Sequence, residues 1–302
     1  MRSVFPHMSL WYTGSYVVAV GGLSPLTFDL DVLGQRMAHK EIRQDLESVG
    51  IDSPESLLVL HLLDEDGIDA FVGDGPINTD DRAYLEHSAA RCFGRETTPE
   101  NLEDLTRVRS LPASLVVGTG KTIEAGFDDR LNRIFRAREK TMRGRKATYE
   151  GRFKDAIDDY RATLQEAPGD GVTQIFLADV KGTLAASVAL KGDQARRSGR
   201  LKEAFSIYNQ ALGIDPTEAR SLNGVGLIFF SQGRYRESLS YFNKALERQG
   251  KQAQIHYNRA LALLKLGEFE EAGREMGIVE RLEDGGKPQY APRLREIFRR
   301  LR

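Results

Sequence analysis

Residues 199–245 decide the fold, and they read GRLKEAFSIYNQALGIDPTEARSLNGVGLIFFSQGRYRESLSYFNKA. This stretch contains two copies of one pattern, Gly-x-aromatic-x-x-Ala-x-x-x-aromatic-x-x-Ala. The first copy begins at Gly199, where Leu201 takes the first aromatic position, and the second begins at Gly233, where Ser238 replaces the first alanine. The pattern returns small and aromatic residues every three or four positions, so it predicts helices that each pack along one face.

Two further copies of the pattern flank this stretch. One begins at Gly151 and the other at Gly267. Gly199, Gly233 and Gly267 are 34 residues apart. This period is that of the tetratricopeptide repeat, which the sequence from residue 137 onward resembles. The gap between Gly151 and Gly199 is 14 residues longer, which predicts an extended helix before Gly199. The resemblance implies a mainly α fold, in which an α-solenoid of helical hairpins follows a small, incomplete α/β segment with a β-hairpin.

Each recurring position of the pattern has an expected physical role. The glycine is expected at the turn between two antiparallel helices, and small residues such as Ala204 let those helices approach closely. Tyr208 and Phe242 are expected to fill the space against the next repeat. Pro168 and Pro216 are expected to end the second helix of a hairpin, because proline cannot continue it. A single hairpin cannot bury its apolar face alone, so the repeats are predicted to stack.

The resemblance also implies a binding surface. In tetratricopeptide proteins the first helix of each repeat lines a concave groove that holds a partner. Basic, polar and aromatic residues occupy the matching positions of this sequence: Arg145, Tyr149, Arg196, Arg197, Asn223, Phe230, Tyr257 and Lys265. Arginine binds carboxylates through two N–H groups, so an acidic or C-terminal peptide is the expected partner. An alternative stays open for the apolar positions, which would then only pack between helices: Leu227, Phe230, Leu261 and Leu264.

The first hundred residues follow a different pattern. Residues 9–13 and 16–22 are short runs rich in aromatic and β-branched side chains, and together they predict a β-hairpin. The second run is continuously apolar, so both faces of that strand are expected to be covered. Helical patterns follow at about 30–48 and 54–64.

A second resemblance covers about a third of the chain. FPHMSLWYTGSYVVAVGG at 5–22 and PINTDDRAYLEHSAAR at 76–91 resemble the C-terminal end of bacterial spermidine synthase-like proteins. The resemblance marks a remnant of the substrate side of that site at four residues: Trp11, Asn78, Asp80 and Asp81. For the two aspartates the alternative is capping of a turn or a helix.

That family's nucleotide-binding strands, glycine-rich turn and catalytic aspartate would all precede the hairpin. The chain is therefore predicted to be non-catalytic by itself, with no catalytic residues and no cofactor. The first hypothesis is a scaffold or adaptor that binds a partner through the repeat groove. The second is the C-terminal part of a polyamine aminopropyltransferase-like system that needs a separate nucleotide-binding half.

Composition and motifs exclude several other classes. The formal net charge is -1, so no global attraction to nucleic acid is implied. The single cysteine, Cys92, has no partner, and the histidines lack metal-ligand spacing. The segment LVVGTGKT at 115–122 lacks the first glycine of a phosphate loop, and GVG at 224–226 is expected to allow close helix packing. Neither is predicted to bind a nucleotide.

The sequence also predicts where the protein is located and where its segments begin and end. No stretch approaches the roughly 20 apolar residues of a membrane span, and no signal peptide is recognised, so a cytoplasmic location is predicted. An association with a membrane-bound partner is left open. We expect a transferase-like remnant at 1–98, a helical connector at 99–136 and the repeat array at 137–302. The arginine-rich segment 291–302 has one apolar stripe and is expected to cap the array, the alternative being a helix that binds a membrane or partner.

Overall fold

The computed structural model describes residues 4–13, 17–72, 98–110, 116–117, 127–248, 250–284, 286 and 288–301. The chain forms two compact units: the first unit is Met1–Val180 and the second unit is Lys181–Arg302. It is mainly α-helical, with hairpins of tetratricopeptide type and a small sheet near the N-terminus, so the predicted fold class is confirmed. The predicted segment boundaries at residues 98 and 136 stay predictions.

A three-stranded antiparallel sheet lies in the first unit. Its strands are β1 (His7–Tyr12), β2 (Val17–Gly22) and β4 (His61–Leu63), in the order β2-β1-β4. A separate parallel pair joins β3 (Phe28–Asp29) to β5 (Val116–Val117). The predicted β-hairpin is confirmed, because β1 and β2 pair in antiparallel register along their whole length.

Two expectations for this sheet are wrong. Val17, Val18 and Val20 are 47%, 43% and 37% exposed, so among the described residues nothing covers both faces of β2, which is also the edge strand of the sheet. The helix expected at 54–64 ends at Leu58, and the following apolar residues form β4. They do so because they pair with β1, a contact distant in sequence that overrides the local helical pattern.

The described helices of the first unit lie between β3 and β4 in sequence and after β4. They are α1 (Leu30–Met37), α2 (Lys40–Ser48), α3 (Pro54–Leu58), α4 (Glu65–Val72), α5 (Thr98–Val108), α6 (Phe127–Tyr149), α7 (Phe153–Glu166) and the first part of α8 (Gly171–Arg197). The helix expected over 30–48 is thus two helices. Met8, Leu62, Leu105 and Met142 belong to one core cluster, so the sheet packs on α5 and on α6, the first helix of the first repeat hairpin.

The second unit is an array of helical hairpins. Its helices are the second part of α8, α9 (Leu201–Ile214), α10 (Ala219–Ser231), α11 (Tyr235–Arg248), α12 (Ala253–Leu266), α13 (Phe269–Leu282) and α14 (Ala291–Leu301). With 27 residues, α8 is about twice as long as α9, which has 14, so the extended helix predicted before Gly199 is confirmed. Helices α7 and α9 each end two residues before the predicted prolines, Pro168 and Pro216.

The repeat glycines lie at the hairpin turns, as predicted. Gly151, Gly199, Gly233 and Gly267 have φ angles of 74°, 76°, 76° and 81°. Only glycine adopts this left-handed conformation without a steric penalty, so each glycine ends one helix and turns the chain toward the next. These four turns define the hairpins α6–α7, α8–α9, α10–α11 and α12–α13.

Tyr208 shows why the aromatic position needs small residues beside it. The ring is fully buried, and Gly192 on α8 and Gly224 on α10 both lie against it. A β-carbon added at Gly224 would stand 2.3 Å from Tyr208 Cζ, and one at Gly192 would stand 2.6 Å from Cε1. Phe242 is buried in the same way against Gly226. Gly224 and Gly226 are therefore packing features, as predicted, and the structure adds Gly192 to them.

The last helix covers the end of the array. On α14, Leu294 is fully buried and packs in one cluster with Leu263 and Leu264 of α12. The Glu283 carboxylate caps the start of this helix, since it accepts hydrogen bonds from the backbone N–H groups of three residues, among them Ala291 at 2.9 Å. The predicted capping role agrees with this packing.

Candidate partner-binding site

The predicted groove residues all lie on first helices of repeat hairpins. In the first unit, α6 carries Arg145 and Tyr149. In the second unit they are distributed over three helices, α8, α10 and α12: Arg196, Arg197, Asn223, Phe230, Tyr257 and Lys265. The two sets belong to different compact units.

A cavity of about 360 Å³ in the second unit brings three of these predicted residues together. Arg196, Arg197 and Asn223 line it, and the other lining residues are Ala186, Asp193, Glu218, Arg220, Gln252, Gln254 and Ile255. Three of the lining side chains are guanidinium groups and two are carboxylates, and glutamine and asparagine amides supply further polar groups. The cavity is thus polar, with a small excess of positive charge.

Asp193 organises the arginines of this cavity. Its carboxylate accepts a hydrogen bond from Arg220 Nη1 at 3.0 Å, and Arg196 and Arg197 each bring a nitrogen within 4.0 Å. The Tyr208 hydroxyl donates to the same carboxylate at 2.6 Å. Burial, together with this bond to Asp193, raises the pKa of Tyr208, so the phenol remains a donor at neutral pH.

Sequence reasoning missed Asp193 and Arg220. A signal for Asp193 was present, because it stands three and four residues before Arg196 and Arg197, the spacing of ion pairs on one helix face. No local signal identified Arg220, since the contact to Asp193 joins residues 27 positions apart. At the predicted basic groove, the carboxylate of Asp193 therefore neutralises part of the positive charge of the arginines.

Asn223 is held in place by a neighbouring repeat. Asn258 on α12 donates through Nδ2 to Asn223 Oδ1 at 2.8 Å, and both side chains are buried. This bond uses the carbonyl oxygen of Asn223, so the side chain would offer its amide nitrogen to a ligand. A donor at this position suits an anionic or carbonyl-bearing partner.

The remaining groove positions of the second unit have packing contacts of their own. The ring of Phe230 lies 5.3 Å from that of Tyr235, and Tyr257 lies 5.2 Å from Tyr290, centroid to centroid. Lys265 is exposed. The four apolar groove positions pack against buried clusters, as the packing alternative expected: Leu227, Phe230, Leu261 and Leu264. Their part in partner binding stays a prediction.

In the first unit, Arg145 is engaged with aromatic side chains. Its Nη2 donates to the Tyr149 hydroxyl at 3.0 Å, and its guanidinium lies 4.5 Å from the centre of the Phe176 ring. Contacts of this kind between arginine and aromatic rings are attractive. Arg145 and Tyr149 are thus brought together by the structure, and their role toward a partner stays a prediction.

Of the predicted transferase-like remnant, the described residues include Trp11. Trp11 is a core residue: it is 8% exposed, its ring packs edge-on against Phe28 and His61, and Nε1 donates to Ser9 Oγ at 2.7 Å. The other three remnant residues, Asn78, Asp80 and Asp81, lie outside the described residues. The GTGKT segment lies outside them as well. The aminopropyltransferase-like hypothesis stays a prediction.

Comparison with known proteins identifies the repeats. A tetratricopeptide repeat profile matches residues 182–251. The photosystem I assembly protein Ycf3 of Acaryochloris marina is 30% identical over 130 residues, which cover 42% of this chain and 78% of that protein. The chain belongs to the tetratricopeptide repeat family. This membership supports a role in protein–protein interaction.

Other similar proteins of this kind are larger or more distant. Cellulose synthase operon protein C of Komagataeibacter xylinus is 30% identical over 131 residues, which cover 42% of this chain and only 10% of that protein. Among solved structures, the first tetratricopeptide domain of Spaghetti (RPAP3) bound to an HSP90 peptide is 22% identical. It covers 39% of this chain and 92% of its own, with a TM-score of 0.35.

The described residues contain neither a membrane-spanning helix nor a cluster of metal ligands. Within the ranges that the structure describes, no helix of the tetratricopeptide protein is long and apolar enough to cross a membrane. In the same ranges, no three histidine, cysteine or acidic side chains come together as metal ligands. The cytoplasmic location and the membrane-bound partner stay predictions.

A buried polar cluster holds together the last tetratricopeptide hairpin. His256 on α12 lies with Nδ1 2.7 Å from Glu275 Oε2 on α13 and with Nε2 3.0 Å from the Gly250 carbonyl oxygen. Arg259 pairs with the same glutamate. The hydrogen bond to Glu275 raises the pKa of His256 against the opposing effect of burial. Both ring nitrogens face acceptors, which favours the doubly protonated imidazolium.

We expect the contribution of His256 to stability to depend on pH. A group whose pKa is higher in the folded state stabilises the fold fully below its unfolded value, near 6.5, and loses this effect as pH rises through the folded value. The stability difference between the wild type and His256→Asn should therefore narrow from pH 5.5 to pH 8.5 in urea titrations. In a Glu275→Gln background the difference should vary much less, and a wild-type difference that is constant with pH would contradict the pairing.

Proposed function

We propose that this chain is a non-catalytic adaptor that holds an acidic segment of a partner protein in the cavity around Asp193. The observation that carries the proposal is the cluster of Arg196, Arg197 and Arg220 at one carboxylate, within one cavity and beside Asn223. Membership in the tetratricopeptide family supports a role in protein interaction. The arginine cluster supplies guanidinium groups that can bind the carboxylates of a partner.

The arginines of the cavity remain available to a ligand. The side chains of Arg197 and Arg220 are 71% and 48% exposed. Each contacts Asp193 through one guanidinium nitrogen and one carboxylate oxygen. A guanidinium has five N–H donors, so each can also bind an incoming carboxylate. Asp193 would hold the guanidinium groups in place while no ligand is bound, which reduces the entropy lost on binding.

The size of the cavity limits what it can hold. About 360 Å³ accommodates one or two side chains or a chain terminus rather than a folded domain. The acidic end of an extended segment would therefore enter the cavity, and the rest of the segment would follow the helices on which Phe230, Tyr257 and Lys265 lie.

A peptide-binding experiment tests the proposal. The probe is fluorescein-labelled SRMEEVD, the peptide bound to the RPAP3 domain, in a panel with other acidic C-terminal heptapeptides and with their neutral Gln/Asn counterparts. Reversal of charge in Arg197→Glu should weaken binding at least about tenfold in fluorescence anisotropy, since that corresponds to the loss of one charge-assisted contact. Binding should also weaken as salt concentration rises.

The matched control is Arg236→Glu on α11, an exposed arginine outside the cavity, which should leave binding unchanged. Circular dichroism spectra of both variants verify that the helices persist. Equal binding of acidic and neutral peptides would contradict the proposal. So would an affinity that survives simultaneous charge reversal at Arg196 and Arg197.

A further inference from the structure

Two guanidinium groups line a small cavity in the first unit. Its volume is about 20 Å³, and its walls include Leu62 and Phe176 as well as Arg109 and Arg138. Arg109 follows the end of α5, and Arg138 lies in the middle of α6. Two cations at the wall of one largely apolar cavity are costly to desolvate without compensating charge.

Arg138 has one carboxylate partner and one unused donor. The residue is 6% exposed, and Nη2 donates to the buried Asp170 at 3.0 Å. Its Nε is fully buried and finds no acceptor among the residues that the structure describes. The ion pair thus neutralises Arg138 but leaves a donor at the cavity unsatisfied.

Arg109 has a weaker set of partners. Its Nη1 donates to the Phe135 carbonyl oxygen at 2.9 Å, and its guanidinium carbon lies 3.7 Å from the centre of the Phe135 ring. In the described part of the chain its buried Nε has no acceptor, and no carboxylate forms an ion pair with it. Burial and the nearby charge of Arg138 lower the pKa of Arg109 to about 10, although Glu139 offsets part of this effect.

We propose that this cavity binds one monoatomic anion, in practice chloride, between Arg109 and Arg138. Two guanidinium groups share a single paired carboxylate, so the site carries excess positive charge, and two buried N–H donors require an acceptor. A volume of about 20 Å³ suits a compact monoatomic anion better than sulfate, phosphate or a carboxylate. Water could accept the two hydrogen bonds, but only an anion also compensates the charge.

An ion at this point would connect separate elements of the first unit. Arg109 belongs to the segment after α5, and Arg138 on α6 is paired to Asp170 at the start of α8. Chloride bound between the two arginines would therefore stabilise the contact of α5 with α6, on which the sheet also packs. This site is independent of the peptide cavity in the second unit.

Thermal unfolding of the full chain tests the site. Chloride is exchanged for gluconate, an anion too large for the cavity, at constant total sodium concentration. We expect a saturable rise in Tm of about 2–4 °C with chloride or bromide and none with gluconate, as for a ligand at several times its Kd. Arg109→Met should abolish the response, whereas Arg107→Met, at an arginine with a 69% exposed side chain, should retain it.

A second measurement covers the case in which Arg109→Met does not fold. Bromide-soaked crystals of the wild-type chain should show an anomalous peak within hydrogen-bond distance of both Nε atoms. A site that holds only water shows no such peak, and that result would overturn the proposal. Equal Tm changes in chloride and gluconate, or an unchanged chloride response in Arg109→Met, would also overturn it.

Discussion

Replacement of Gly224 by alanine is expected to destabilise the second unit by about 3 kcal/mol, a large effect for one added methyl group. The new β-carbon would stand 2.3 Å from Tyr208 Cζ, far inside van der Waals contact. The Tyr208 ring cannot withdraw, because Gly192 lies against it as well and Asp193 holds its hydroxyl at 2.6 Å. Helix α10 would have to move away from α9.

Gly213→Ala is the matched control for this prediction. Gly213 also lies in a helix, α9, but a β-carbon there would meet nothing within 4 Å. Alanine restricts the unfolded chain and favours helix, so this variant should be more stable by about 0.5–1 kcal/mol.

Urea unfolding followed by circular dichroism measures both variants. The midpoints of Gly224→Ala and Gly213→Ala should move in opposite directions. If both variants shift in the same direction by similar amounts, the packing of Tyr208 between α8 and α10 does not limit stability.

The exchange of Asp170 for asparagine should cost about 3 kcal/mol in the first unit. Asp170 is fully buried at its side chain, and it pairs with Arg138, whose side chain is 7% exposed. Asparagine keeps the shape of the side chain and can still cap α8 through its carbonyl oxygen, as Asp170 Oδ1 now does by accepting from the Thr173 backbone N–H at 3.3 Å. It removes the charge, so the Arg138 guanidinium would remain buried without its carboxylate.

A more exposed ion pair, which joins α6 to α7, provides the comparison. Arg143 and Asp159 are joined at 2.8 Å, but their side chains are 55% and 23% exposed. Solvent screens such a pair, so Asp159→Asn should cost about 0–1 kcal/mol. Chemical denaturation at pH 7 in gluconate buffer compares the two variants without any effect of chloride. Equal costs for Asp170→Asn and Asp159→Asn would show that burial does not strengthen the Arg138 pair.

Local features of this chain could be predicted from its sequence. Gly199, Gly233 and Gly267 occupy turns with positive φ. Glycine adopts this conformation because it has no side chain, so the turn depends on the residue itself and not on distant contacts. The three- and four-residue spacing of small and aromatic residues placed Tyr208 and Phe242 in the interior, because a helix repeats every 3.6 residues wherever it lies. These local rules therefore determined the hairpins and their packed faces.

Part of the candidate site followed from the same periodicity. Arg196, Arg197 and Asn223 were predicted on first helices and do line one cavity. Their neighbours Asp193 and Arg220 were not predicted, although they set the charge and geometry of that cavity. The reason is that a helix pattern shows which face a residue is on, but not which residue of another repeat stands opposite.

What the sequence determined by itself is thus the repeat: its period, its turns and the face that each helix buries. The tertiary structure decided the rest. It made β2 an exposed edge strand, turned the run at His61–Leu63 into a strand, and placed two arginines at one internal cavity. Backbone conformation and helix periodicity act between residues close in sequence. Strand pairing, burial and charge compensation depend instead on residues that only the folded chain brings together.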